Sequence, residues 1–69
     1  MTYRCYSLRP VEAESERAAA EIFAGRIARR RLGRLAKFDL EHYCDNHYVC
    51  HPRSKRRPNC PPVSFFVST

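Results

Sequence analysis

Three features of the sequence predict an α+β fold, a small two-layer sandwich of β-α-β-β(-β) order with one helix on a three- or four-stranded, mostly antiparallel sheet. Residues 35–43 alternate apolar and polar side chains, the mark of a half-buried strand. Residues 11–32 carry glutamates at their start and arginines at their end, the polarity that complements a helix dipole. Segments 2–8 and 63–68 are rich in aromatic and other strand-favouring residues. A strand, a crossover helix and further strands make one layer of sheet under one helix, and 69 residues suffice for a single domain, 1–69.

Each element has its own argument. In the first strand, about 2–8, Tyr3 and Cys5 face one side and Tyr6 and Leu8 the other, and Pro10 stops it. The helix is expected over about 11–32, with Ser15 as an N-cap if the regular turns start late and Gly33 as the stop. At about 100° per residue, Ala20, Phe23, Ala24 and Ile27 form a core-facing stripe, and Ala18, Ile22, Gly25, Arg26 and Arg29 fall on the far side. Gly25 inside a helix costs about 1 kcal/mol relative to alanine, so with outward-facing Ile22 it could mark a partner contact. A rotated helix, or a loop over Ile22, would explain both equally well.

In the second strand, about 35–43, Ala36, Phe38, Leu40 and His42 turn toward the helix, and Lys37, Asp39, Glu41 and Tyr43 turn away. Asp45-Asn46 is turn chemistry, after which a short strand at about 48–51 folds back. Residues 52–62 hold prolines, polar turn residues and clustered charge, the composition of an exposed basic loop. In the closing strand, about 63–68, Val63, Phe65 and Val67 share one face and Ser64, Phe66 and Ser68 the other. Nothing is left to cover the sheet face away from the helix, where Tyr6, Tyr43 and Phe66 could lie as a second contact surface.

Composition then limits the function. With 43% hydrophobic residues, four Phe and four Tyr, the chain is expected to fold. Thirteen Lys plus Arg against seven Asp plus Glu give a formal charge of +6, which attracts polyanions or acidic protein surfaces. Arginine dominates, and its planar fork grips carboxylate or phosphate at two points. The plain alternative is a solvated surface in an arginine-rich chain. No signal-peptide pattern and no run of membrane-spanning length occurs, so a cytoplasmic monomer without membrane partners is the expectation. In a reducing compartment Cys5, Cys44, Cys50 and Cys60 read as thiols or metal ligands.

Thiolate and imidazole are the ligands of tetrahedral zinc, which draws notice to Cys44, His47 and Cys50 or His51, closed by Cys60. Such a site would tether the basic loop. Against it, no CxxC knuckle is present and strand alternation would send some of these side chains to opposite faces. No cofactor is therefore expected, with these residues kept as zinc candidates. A glycine-rich phosphate loop, paired metal-binding carboxylates and a serine nucleophile motif are all missing, so the chain reads as a binding protein rather than an enzyme.

Two cationic groups carry the functional expectation: Arg26, Arg29, Arg30, Arg31 and Arg34 around the helix end, and Arg53, Lys55, Arg56 and Arg57 in the loop. If the loop folds over the sheet edge near the helix end, the two merge into one surface. Tyr48 and Phe66 beside that charge would allow base stacking, although no recognised nucleic-acid-binding motif is present.

The stretch Glu16-Arg-Ala-Ala-Ala-Glu-Ile-Phe-Ala24, with Arg26 and Arg29-Arg-Arg-Leu-Gly-Arg34, resembles the helix of small phage or prophage accessory proteins. With a strand before it and strands after it, the chain is similar in architecture to the compact anti-CRISPR type. That resemblance implies stoichiometric inhibition by docking on a CRISPR surveillance complex, or on its bound nucleic acid, so that target DNA is kept out. It transfers no catalytic residues. A charge of +6 excludes the DNA mimicry of acidic inhibitors, so arginine would have to meet acidic protein, guide RNA or DNA. The alternatives are a nonspecific DNA- or RNA-binding accessory protein and a zinc-stapled adaptor.

Overall fold

The computed structural model describes residues 1–69 as one helix and five strands in two antiparallel sheets. Strands β1 (Thr2–Tyr3) and β2 (Val11–Glu12) form a two-stranded sheet; helix α1 spans Glu16–Leu32; β3 (Lys37–Cys44), β4 (His47–Arg53) and β5 (Val63–Phe66) form a meander in the order β3-β4-β5. The helix packs mainly on β4 and β3 and touches β2. One antiparallel bridge, Arg4 to Ser68, joins the first segment to the end of the last.

The α+β class and the helix-on-sheet layering stand, but the first third of the chain differs from expectation. The strand at 2–8 is short, because Ser7 takes a left-handed φ of 60° and reverses the chain. Val11 and Glu12 then pair with Tyr3 and Thr2 as a strand, where a helix was expected. The helix begins at Glu16 and not at Val11: Ser15 is extended and its side chain accepts a hydrogen bond from the Ala18 N–H at 3.1 Å. At the other end Gly33 has φ 86°, and its N–H donates to the Arg29 carbonyl at 2.8 Å.

The buried helix positions are Ala19, Ala20, Phe23, Ala24 and Ala28. Four of the five are alanines, so the helix backbone lies close to the sheet and Phe23 is the one large side chain it inserts. Tyr48, Cys50 and Phe65 meet it from β4 and β5, with Tyr3, Cys5, Val11 and Val67 completing the core. The approach is close enough for the Cys50 thiol to donate to the Ala24 carbonyl at 3.5 Å. Ile27 is only partly buried, and Ile22 is exposed as expected.

Gly25 does not lie on the far side of the helix. It faces the ring of Phe38, and a Cβ at this position would meet Phe38 Cε1 at 3.4 Å. That is ordinary contact, and alanine is the better helix former. Gly25→Ala is therefore expected to stabilise the fold by about 0.5–1 kcal/mol. A urea midpoint that falls in this variant would mean that Phe38 cannot accommodate the methyl group.

The hairpin between β3 and β4 turns at Asp45-Asn46, with Asp45 at φ 45°, and Tyr43 is the bulged residue between the pairs His42–Tyr48 and Cys44–His47. Strand β4 runs past the expected end at residue 51 to Arg53, so Pro52 and Arg53 are strand and not loop. Proline is tolerated because β5 pairs only with His47 to Cys50; at Pro52 the strand has one neighbour, β3, the edge position that proline accepts. Strand β5 ends at Phe66, short of the expected 68, although Ser68 keeps the bridge to Arg4.

Candidate anion-binding surface

The pair Lys37–Arg53 closes the β3–β4 ladder at the end of the sheet where the helix stops. Beyond it, Ser54 to Arg57 form a tight turn: the Ser54 N–H donates to the Arg57 carbonyl, the Arg57 N–H donates to the Ser54 carbonyl, both at 3.2 Å, and the same Arg57 N–H reaches Ser54 Oγ at 3.1 Å. This turn projects Lys55 and Arg56. Across from it, Gly33 ends the helix and directs the chain through Arg34 and Leu35 into β3.

The result is an open depression of about 890 Å³ whose rim carries Arg34, Lys37, Arg53, Lys55 and Arg56, with no acidic side chain in its lining. Leu32, Leu35 and Pro58 give it an apolar margin. The two cationic groups thus merge, but only through Arg34. Arg57 is exposed on the same turn without lining the depression.

The remaining candidate arginines of the helix do not reach the depression. Arg26 Nη1 donates to the Arg9 carbonyl at 2.9 Å and Arg30 Nη2 to the Ser7 carbonyl at 3.2 Å, so both clamp the irregular segment before the helix. Arg30 and Arg31 line a different groove, and Arg29 is exposed and lines neither. Among the nine candidate cations only Arg53 has a carboxylate partner, Asp39, with Nε to Oδ2 at 3.1 Å. Arg34, Lys55 and Arg56 have none, so their charge is directed outward. Lys37 escaped sequence reading as a site residue because its place depends on the β3–β4 register, which sets it beside Arg53.

The sheet face away from the helix carries two ion pairs, Arg53–Asp39 and His51–Glu41 at 2.9 Å, and then an aromatic group. In that group His47 stacks on Phe66 with centroids 4.4 Å apart and meets Tyr43 at 4.9 Å. Tyr43 and Phe66 are exposed as expected, whereas Tyr6 stands at the turn before Ser7 and lines the second groove. Tyr48 is not available for stacking on a base. It is buried toward the helix, stacks on His42 and donates its hydroxyl proton to Glu16 Oε1 at 2.8 Å.

The zinc candidates do not converge. Cys44 and His47 are cross-strand partners, Cys50 faces the helix, and no group of three or more His, Cys, Asp or Glu side chains is placed to hold a metal ion. Burial pushes the Cys50 thiol up to about 11, an effect Cys60 reinforces, and raises Cys5 as well. A reactive thiol needs the opposite shift.

Burial, and then the bond to Glu16, push the Tyr48 hydroxyl up to about 12. Both shifted groups stay protonated in the fold after the unfolded chain would release them, at ordinary values of 9.0 for the thiol and 10.0 for the phenol. Their contribution to stability is therefore complete below pH 9 and is lost as the pH rises toward 12. Urea midpoints should fall through that window, and Tyr48→Phe should flatten the upper part of the decline. A profile identical in the variant would contradict the assignment.

No helix is long and apolar enough to cross a membrane. No protein-family model matches the chain, and neither a curated protein nor a solved structure matches it.

Proposed function

We propose that this chain is a non-enzymatic binding protein that grips an anionic partner in the depression between the end of α1 and the Ser54–Arg57 turn. The observation that carries this reading is the set of five cations, drawn from the helix end, β3, β4 and the turn, around one concavity without acidic lining. Such a set focuses positive potential, and its arginines offer two-point bonds to phosphate or carboxylate.

The finer reading rests on the resemblance to anti-CRISPR proteins: an inhibitor that docks on a bacterial CRISPR surveillance complex, or on the nucleic acid bound to it, and keeps target DNA from its path. The alternative is direct, largely nonspecific binding to DNA or RNA, which the same cations favour.

A pull-down from bacterial lysate with nuclease treatment, beside naked-DNA binding at two salt concentrations, separates them. Retention of a CRISPR complex after nuclease, with weak naked-DNA affinity, is the outcome expected of the inhibitor. Loss of every partner after nuclease, with affinity that falls steeply as salt rises, would replace it with the nucleic-acid reading.

A further inference from the structure

Strand β5 is the outer strand of its sheet, and its free edge has a defined direction. The Arg4 N–H donates to the Ser68 carbonyl at 2.6 Å and the Ser68 N–H donates back to the Arg4 carbonyl at 2.9 Å, so the backbone polar groups of Ser68 point away from β4. Val67 points the other way: its N–H donates to the Asn46 carbonyl at 3.0 Å and its carbonyl accepts from Asn46 Nδ2 at 2.9 Å. By the two-residue repeat of a strand, the N–H and C=O groups of Phe66 and Ser64 share the direction of those of Ser68. Arg4 already occupies the edge at Ser68, and the reversal at Ser7 takes the chain away before it can pair with Phe66 or Ser64.

Beside this edge runs a groove of about 550 Å³, lined by Leu8 and Ile27 at its apolar floor and by Tyr6, Phe66, Arg30 and Arg31 at its margins. It contains no acidic side chain and shares no lining residue with the basic depression, although both adjoin the C-terminal end of α1.

We propose that this groove receives an extended acidic peptide segment of a protein partner, which adds to β5 as an antiparallel strand continuing the line of Arg4. The main-chain groups of Phe66 and Ser64 would supply the pairing, the apolar floor would take alternate side chains, and Arg31 would meet the peptide's carboxylates. A second copy of this chain is a poor occupant, because pairing two β5 edges would bring Arg30 and Arg31 against their equivalents in a molecule already carrying +6. A nucleic acid strand has charge to offer but no repeating N–H and C=O groups to match the edge. The inference concerns a separate surface and does not depend on what the basic depression binds.

The test is a fluorescence-anisotropy titration of the whole protein with a labelled eight-residue peptide of alternating Val and Glu. Three companion probes are the same peptide N-methylated at alternate residues, a Val/Lys version, and a labelled single-stranded oligonucleotide. The Val/Glu peptide should bind, N-methylation and the Lys version should each weaken binding at least tenfold, and Arg31→Glu, at a side chain with no hydrogen bond of its own, should do the same. Bound peptide should slow hydrogen exchange at the Phe66 and Ser64 amides, and Arg34→Glu with Arg56→Glu in the separate depression should leave this affinity unchanged. Binding indifferent to N-methylation, unchanged exchange at those two amides, or an oligonucleotide that displaces the peptide from them would overturn the proposal.

Discussion

Replacing Phe23 by alanine is expected to leave the chain largely unfolded at room temperature. Phe23 is fully buried and is the one large side chain that an otherwise alanine-lined helix face inserts into the core. Removing a buried phenylalanine costs about 3–5 kcal/mol. A single core in a domain below about 70–80 residues rarely supplies more than about 3–5 kcal/mol in total, so the loss consumes most of the margin. Neighbouring alanines are too short to close the void. Far-UV circular dichroism and amide dispersion in NMR spectra would report the loss directly. Ile22→Ala, one position earlier on the exposed side, should change stability by less than about 1 kcal/mol. A folded Phe23→Ala protein with native-like dispersion would show that the helix is held by something other than this contact.

The second large effect belongs to the depression. Charge reversal at Arg34 and Arg56 together should weaken binding of a labelled oligonucleotide, or of the partner captured from lysate, by about a hundredfold. That follows from two charge-assisted contacts at about 1.5 kcal/mol each, before any repulsion from the new carboxylates. The same reversal at Arg29 and Arg57, which are exposed but do not line the concavity, should cost less than about tenfold. Because Arg34 and Arg56 make no ion pair within the chain, their removal should leave the unfolding curve in place. Equal losses in the two double variants would point to diffuse attraction by total charge, without a site.

The elements that were legible in advance are those whose local chemistry repeats or is unambiguous. Residues 37–41 alternate because one side of β3 faces the helix and the other faces water. Ser15 bounds the helix by a side-chain hydrogen bond that few other residue types make so well, and Gly33 by a positive φ that glycine adopts without strain. The illegible parts lack such a signal. Two-residue strands such as Thr2–Tyr3 and Val11–Glu12 are too short to show a period, and the reversal at Ser7 uses no glycine. Four core-facing alanines give almost no contrast with the polar side, so the hydrophobic pattern fixes the helix rotation poorly and misplaces Gly25. Pro52 looked like the start of a loop because proline's tolerance depends on whether a second strand lies alongside, a tertiary fact.

Merging of the cations was legible only as a condition. Arg34, Arg53, Lys55 and Arg56 were each visible as charge, but bringing them together needs the β3–β4 register and the tight turn at Ser54. Arg26 and Arg30 looked like the same kind of residue and serve instead as clamps on the carbonyls of Arg9 and Ser7.

Beyond Cys50, strand β4 leans on a single neighbour, and Pro52 ensures that no further strand can readily be recruited there. The rim that carries Arg53, Lys55 and Arg56 therefore extends from a part of β4 held by β3 alone, while Arg34 follows directly on the helix stop at Gly33. Three of the five cations, Arg53, Lys55 and Arg56, thus owe their position to one strand pairing, and the open side of that pairing is closed to a competing strand by one proline.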